Sequence, residues 1–340
     1  FYLKFYLITL FLFAVFFFFQ KYNNYVEWTI SEWLINYQGG FTRRGLIGEI
    51  AFQFSKYTIF TIRETILTFQ ISTYFAYFYL TYKFIKNSNK HLLLIFAIFS
   101  PLFVIYPIAE VEVLGRKEIF IYISFLLVLN IFSLKNIRNI HYFYFSIILM
   151  ISCLIWEGII IYLPFFIFIL CLRNNFNINL RFLAKLTLCL FPLLISFYFV
   201  VFERLNDIGI KIMCESINEC YGAMSYLNRN LSSNIGEVAS KFQFTYLVRY
   251  TLIIFIGFFP LFLLIKNSKF NLTFKSQTNN LFLIIFLIIF APSFIFYYIA
   301  QDWGRWVSIS YTLSLLTYIF SLKNNFIVLD VNRINLVFFR

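Results

Sequence analysis

Four short segments concentrate ionisable side chains at spacings suited to anion binding and proton transfer. The first, NYQGGFTRRGLIGE over 36–49, sets Arg43 and Arg44 among four glycines. A guanidinium stays charged and grips phosphate as a planar fork, and glycine lets backbone N–H groups approach the same anion. The alternative is that both arginines bind lipid headgroups or pair with Glu49. The second, EVEVLGRKE over 110–118, holds five charges in nine residues: Glu110, Glu112, Arg116, Lys117 and Glu118. Pro107, just before it, would break or kink the end of the third crossing and let Glu110 and Glu112 face a cavity; mutual salt bridging would merely hold helix ends together. Third, Trp156-Glu157-Gly158 interrupts an apolar stretch with one carboxylate, which either lines a wet cavity with a cationic partner or snorkels to the interface. The fourth, QDWGRW over 301–306, is expected to be a very tight turn between two crossings and sets Asp302 and Arg305 each just before a tryptophan. Trp303 and Trp306, with Tyr297 and Tyr298 nearby, offer rings on which a sugar can stack. An exposed Asp302–Arg305 bridge alone would contribute only ~0–1 kcal/mol.

These segments must be positioned by elements that live in lipid. The chain has 340 residues, 61% of them hydrophobic, and a mean hydropathy of +0.80, so the expected fold is all-α, a polytopic integral membrane protein forming one transmembrane domain over 1–340. Apolar runs near the ~20 residues needed to cross a bilayer fall at 3–20, 65–85, 92–109, 119–134, 186–202, 250–265, 281–300 and 307–322. The stretch 142–172 is too long for one crossing and divides at Glu157 into two short helices. That gives ten crossings, both termini cytoplasmic, and two long outer loops, 21–64 and 203–249. The chain opens on Phe1 rather than Met, which points to a trimmed start. Residues 3–20 lack a small-residue cleavage site and are followed by KYNNYVEW, so they are read as a retained crossing.

Orientation follows from Lys and Arg in the short loops, which accumulate on the cytoplasmic side. The inner segments then hold 15 of the 28 basic residues, Lys90, Lys275, Arg333 and Arg340 among them. Of the 15 acidic residues, which played no part in choosing the orientation, only Asp330 lies inside. The net charge of +13 is therefore explained by topology and anionic lipid, and no nucleic-acid partner is implied. Cysteine usage fits the same map. Cys214 and Cys220 sit in an outer loop, where a disulfide persists, and the only histidines, His91 and His141, fall inside, which leaves no outer zinc set and no Cys-His pair.

The topology puts all four charged segments on one face, where a single site can collect them. Arg43, Arg44, Arg116, Lys117 and Arg305 would hold a diphosphate and stabilise it as a leaving group. Glu112, Glu110, Glu157 or Asp302 would take the proton of an attacking hydroxyl, and Trp303, Trp306 and Tyr298 would stack on sugar. No metal or cofactor is expected.

With GGFTRRGLIGE, GRKE and DWGRW facing outward from a phenylalanine- and isoleucine-rich bundle, the chain resembles bacterial O-antigen polymerases and related membrane glycosyltransferases of surface-polysaccharide clusters. The resemblance implies joining of polyprenyl-diphosphate-linked oligosaccharide units in the periplasmic leaflet of the inner membrane, without a nucleotide sugar, with a chain-length regulator protein as a partner. An outer histidine that such proteins use is missing here, so a carboxylate would take its role. Two other readings stay open. One is a C-type membrane glycosyltransferase adding a single sugar from a polyprenyl-phosphate donor, in which Glu27 and Glu32 matter. The other is a lipid-linked oligosaccharide flippase or transporter. A purely structural membrane subunit predicts that the outer charges tolerate replacement.

Overall fold

The computed structural model describes residues 2–24, 27–86, 88, 91–203, 205–229, 231–271, 287–300 and 302–329. Gln301, residues 281–286, the side chain of Glu27, and Lys90, Lys275, Asp330, Arg333 and Arg340 lie outside that set. The protein is mostly helical and embedded in the membrane. Four helical stretches are long and apolar enough to cross a bilayer: Tyr2–Asn23, Leu92–Ala109, Leu180–Phe202 and Phe244–Lys266. Shorter apolar helices lie at Ile119–Phe132, Asn139–Ile155, Leu163–Arg173 and Leu287–Tyr298.

In chain order the helices are α1 (Tyr2–Asn24), α2 (Glu27–Leu34), α3 (Gly45–Tyr57), α4 (Ile62–Ile85), α5 (Leu92–Ile98), α6 (Tyr106–Ala109), α7 (Ile119–Phe132), α8 (Asn139–Ile155), α9 (Leu163–Arg173), α10 (Leu180–Phe202), α11 (Asp207–Ile217), α12 (Leu231–Lys241), α13 (Phe244–Lys266), α14 (Ile295–Ile299) and α15 (Trp303–Lys323). Local chemistry sets several boundaries. Thr61 and Glu64 form a reciprocal capping box that starts α4. Asn179 caps α10 and Asn206 caps α11 through their side chains.

Expectation and structure differ at two breaks. Pro107 was expected to kink the end of the third crossing, yet the interruption falls at Ser100-Pro101, followed by a π turn over Pro101–Ile105. Pro101 lacks the N–H that would continue the ladder, whereas Pro107 sits in the first turn of α6, where no donor is needed. QDWGRW was expected to be a tight turn, but Trp303–Trp306 form the first turn of α15. A further addition to the all-helical expectation is one antiparallel strand pair, β1 (Ser268–Phe270) with β2 (Ile327–Leu329).

α15 is the hub. Every residue from Gly304 to Ser321 is buried, packed among α7, α9, α13 and the π turn. Three of its buried hydroxyls are satisfied: Ser308 donates to the Leu102 carbonyl at 2.9 Å, while Thr317 and Ser321 donate back to their own helix at 2.7 and 2.8 Å. Side-chain contacts sort the connecting loops into two groups. Lys323 reaches Phe84 O, Arg173 reaches Leu134 O and Lys185 reaches Asn139 at one end of the bundle. The loops carrying Arg44, Glu118, Glu157 and Arg305 meet at the other.

Candidate functional site

Arg44 is placed by a loop that only glycine permits. α3 lies so close to the end of α2 that a Cβ on Gly48 would come within 1.9 Å of the Ile35 carbonyl oxygen. Just before α3, Arg44 adopts the left-handed conformation with φ of 63°, a state that costs a non-glycine residue on the order of 1 kcal/mol and persists only where the surroundings enforce it. The Lys117 ammonium group supplies that enforcement by donating to the Arg44 carbonyl. The guanidinium then spans two carboxylates. NH1 donates to Glu32 at 2.7 Å, while Nε and NH2 donate to Glu157 at 2.9 and 2.7 Å. Glu49 does not pair with either arginine; it accepts from Tyr37 N at 3.0 Å, Gln38 Nε2 at 2.9 Å and Gln53 Nε2 at 2.6 Å.

The 110–118 turn is fastened from three helices. Gly115 has a positive φ of 86°, and its carbonyl accepts from Trp33 Nε1 at 2.5 Å and Gln70 Nε2 at 3.3 Å. Its N–H donates to Tyr74 Oη at 3.0 Å, and Lys21 donates to the Leu114 carbonyl at 2.6 Å. So held, the turn projects Arg116 toward Glu32, 3.7 Å away, and buries Lys117 and Glu118. Glu118 meets Arg305 from the start of α15, and the same guanidinium also pairs with Asp302.

Eight charged groups from five distant chain segments thus form one cluster: Glu32, Arg44, Arg116, Lys117, Glu118, Glu157, Asp302 and Arg305. It is graded in depth. The Glu32 side chain is 0% exposed and Glu118 5%, whereas Glu157 is 19%, Arg44 28% and Asp302 46% exposed. Between Glu118, Arg305 and Arg116 lies a cavity of about 10 Å3, also lined by Tyr74, Tyr106 and Tyr122, room for roughly one water. Glu118 Oε2 and Arg305 Nε find no hydrogen-bond partner among the described residues.

The fields inside the cluster separate its acids. Burial alone would raise Glu157, but the Arg44 guanidinium, by charge and hydrogen bond, holds its carboxyl down at about 2. Glu32, also buried, is kept below the ordinary carboxylate range by Arg44, Arg116 and Lys117. For Glu118 burial prevails over Arg305, and its carboxyl is pushed up. Burial brings the Lys117 ammonium down to about 7, against the pull of Glu32. Arg44 and Arg305 remain charged, since their carboxylate partners outweigh burial.

Of the expected site residues, Arg44, Arg116, Lys117, Arg305, Glu157 and Asp302 come together. Arg43 points to the Tyr226 carbonyl at 3.2 Å yet lies close enough to act on Glu157. Glu110 and Glu112 are exposed and do not line the cavity between Glu118, Arg305 and Arg116. Trp306 is 3% exposed, packed on Phe296 at 4.3 Å and beneath Arg305 at 4.8 Å, which leaves no ring face for a sugar. Trp303 contacts the rings of Phe242, Tyr250 and Tyr297, and Tyr298 is exposed. Cys214 and Cys220 are disulfide-bonded, their Cα atoms 4.9 Å apart. The sequence reading missed Glu118 and Glu32 as cluster members. Glu118 closes EVEVLGRKE, so its charge was visible; Glu32 was singled out only for the single-sugar reading, beside Glu27, and nothing in its neighbours tied it to the arginines. No protein-family model, curated protein or solved structure matches the chain.

Proposed function

We propose that this protein is a membrane glycosyltransferase of polymerase type, joining one polyprenyl-diphosphate-linked glycan unit to another at the periplasmic face of a bacterial inner membrane. The observation that carries this reading is the convergence of Arg44, Arg116, Lys117 and Arg305 with four carboxylates at one end of an otherwise apolar bundle. Ionisable groups at such depth are expensive and are kept where they act. The grouping of loops at two ends supports ten crossings with both termini cytoplasmic, and the inner excess of Lys and Arg supports the orientation.

In this chemistry a hydroxyl of the acceptor glycan attacks the anomeric carbon of the donor. The bond from that carbon to the diphosphate oxygen breaks, the leaving diphosphate takes the electron pair, and guanidinium groups stabilise its charge. A carboxylate at the rim, Glu157 or Asp302, receives the hydroxyl proton. The interior cavity admits no sugar, so the reacting groups dock at the rim, where Arg44, Glu157 and Asp302 are partly exposed.

The position of Glu32 favours one second reading, a single-sugar transferase in which that carboxylate is central. Its contacts with Arg44 and Arg116 leave it a poor base. In cells displaying long glycan chains, replacing Arg44, Arg116 and Arg305 singly by alanine, at matched protein levels, is expected to collapse the chains to single units. Unchanged chain length in all three rejects the proposal, and loss of one sugar from an otherwise normal chain selects the single-sugar reading.

A further inference from the structure

The cluster is its own counter-ion. Arg44, Arg116 and Arg305 already meet carboxylates, and Lys117 is buried against the Arg44 carbonyl, so an incoming anion that takes a guanidinium must displace a carboxylate. The structure identifies which. Glu118 and Glu32 are enclosed, and separating them from their partners would strand charge in the interior. Asp302 is exposed, but its partner Arg305 is only 8% exposed and out of an anion's reach; Glu157 instead meets Arg44 at the rim, both side chains partly exposed. Arg43, the next residue, adds positive field at that point and draws an anion to it.

We propose that Arg44 is an exchangeable clamp: a substrate diphosphate takes its guanidinium from Glu157, and the carboxylate released by that exchange becomes the general base of glycosyl transfer. This deepens the function proposed above and rests on it. The geometry suits an exchange. Arg44 holds Glu157 through Nε and NH2 and Glu32 through NH1, so the guanidinium stays anchored to Glu32 while its other edge changes partner. The Lys117 bond to the Arg44 carbonyl keeps the backbone fixed meanwhile. Glu157 begins a 3-10 turn behind the buried Trp156, and Gly158 is packed so that a Cβ would meet the Trp156 ring at 2.5 Å. The carboxylate is therefore held in place when its cation leaves. Deprived of that partner in a desolvated setting, it gains proton affinity, which is what a base needs and what the paired carboxylate lacks. The hydroxyl O–H bond breaks toward Glu157 as the new glycosidic bond forms and the diphosphate departs on Arg44. The donor thus switches on the base that consumes it, and water in an empty site meets a neutralised carboxylate.

The test is calorimetric titration of the purified full-length protein in detergent with inorganic pyrophosphate, alongside glycan chain length in cells. Glu157→Gln removes the competitor, so this variant should bind pyrophosphate about tenfold more tightly than the parent while losing chain elongation. Arg44→Ala should bind at least about tenfold more weakly. Should Glu157→Gln fold poorly, Glu157→Asp, whose shorter arm loosens the two-point contact, is expected to show the same tightening to a smaller degree. Unchanged or weakened binding in both Glu157 variants, with Arg44→Ala still impaired, overturns the exchange and leaves the diphosphate reading standing. Equal affinity in the parent, Arg44→Ala and Arg305→Ala overturns the diphosphate reading itself.

Discussion

The cluster around Arg44 and the ion pairs of the 203–249 loop use the same residue types on the same end of the molecule, and they differ in nearly every physical respect. In the loop, Glu237 bridges Arg229 at 2.8 Å and Lys241 at 2.6 Å, with side chains 38–56% exposed. Lys211 and Glu215 sit 3.8 Å apart, more exposed still. Such pairs stay hydrated and are screened by salt. Glu32, Glu118 and Arg305 are nearly or fully buried, and removing their hydration costs several kcal/mol per ion. Well-packed apolar residues would fill that space more cheaply. A protein that retains buried charge at the end of an apolar bundle does so for something other than stability, whereas the loop pairs require no such account.

The difference can be broken most sharply at Glu32, the carboxylate shared by Arg44 and Arg116. Glu32→Gln should lower stability by about 3–5 kcal/mol, read as a large fall in melting temperature in detergent; a loss as small as that of the loop variants below would erase the distinction. Next in size is the response to acid. Glu157 titrates at about 2 when folded against ~4.3 when unfolded, so its contribution is full above ~4.3 and is lost as pH falls toward about 2. That contribution is on the order of 2–3 kcal/mol. Melting followed from pH 6 to pH 3 should bring the parent and Glu157→Gln closer, with about half of the gap remaining at pH 3; parallel curves throughout would remove Glu157 from the balance. A smaller effect is expected at Cys214→Ser, where opening a short loop in the unfolded chain costs about 2 kcal/mol and loosens the segment whose Glu219 pairs with Arg63 at 2.6 Å. Reductant should reproduce the shift in the parent and leave the variant unmoved. Smallest of all, Glu237→Gln should change stability by less than about 1 kcal/mol; a larger loss would show that the loop pairs are structural after all.

Much of this was readable in the chain, and the reasons divide cleanly. The long apolar helices Leu180–Phe202 and Phe244–Lys266 follow from composition alone, since lipid demands continuous helix. The break at Trp156-Glu157-Gly158 was visible because a carboxylate inside an apolar run has few places to go, and a 3-10 turn does separate α8 from α9 there. The disulfide was legible from two cysteines six residues apart in one polar loop. Pairing was not legible. That Arg44 chooses Glu157 and Glu32 over Glu49 depends on α3 packing against α2, a contact set by Gly48 and invisible to charge spacing. Burial of α15 was equally hidden, because an apolar helix facing lipid and one enclosed by other helices read alike. Its serines and threonines were the one available hint. For the same reason Trp306 was read as an interfacial sugar platform, although its position on the hub helix places it in the core.

The central claim, that the rim of the Arg44 cluster joins lipid-linked glycans, is tested most directly by giving the purified protein, in proteoliposomes, a polyprenyl-diphosphate-linked oligosaccharide of one repeat unit. The account predicts a two-unit lipid-linked glycan and released polyprenyl diphosphate in equal amounts, both abolished by Arg44→Ala. Recovery of single-unit lipid alone, whether left in place or carried across the bilayer, would contradict it.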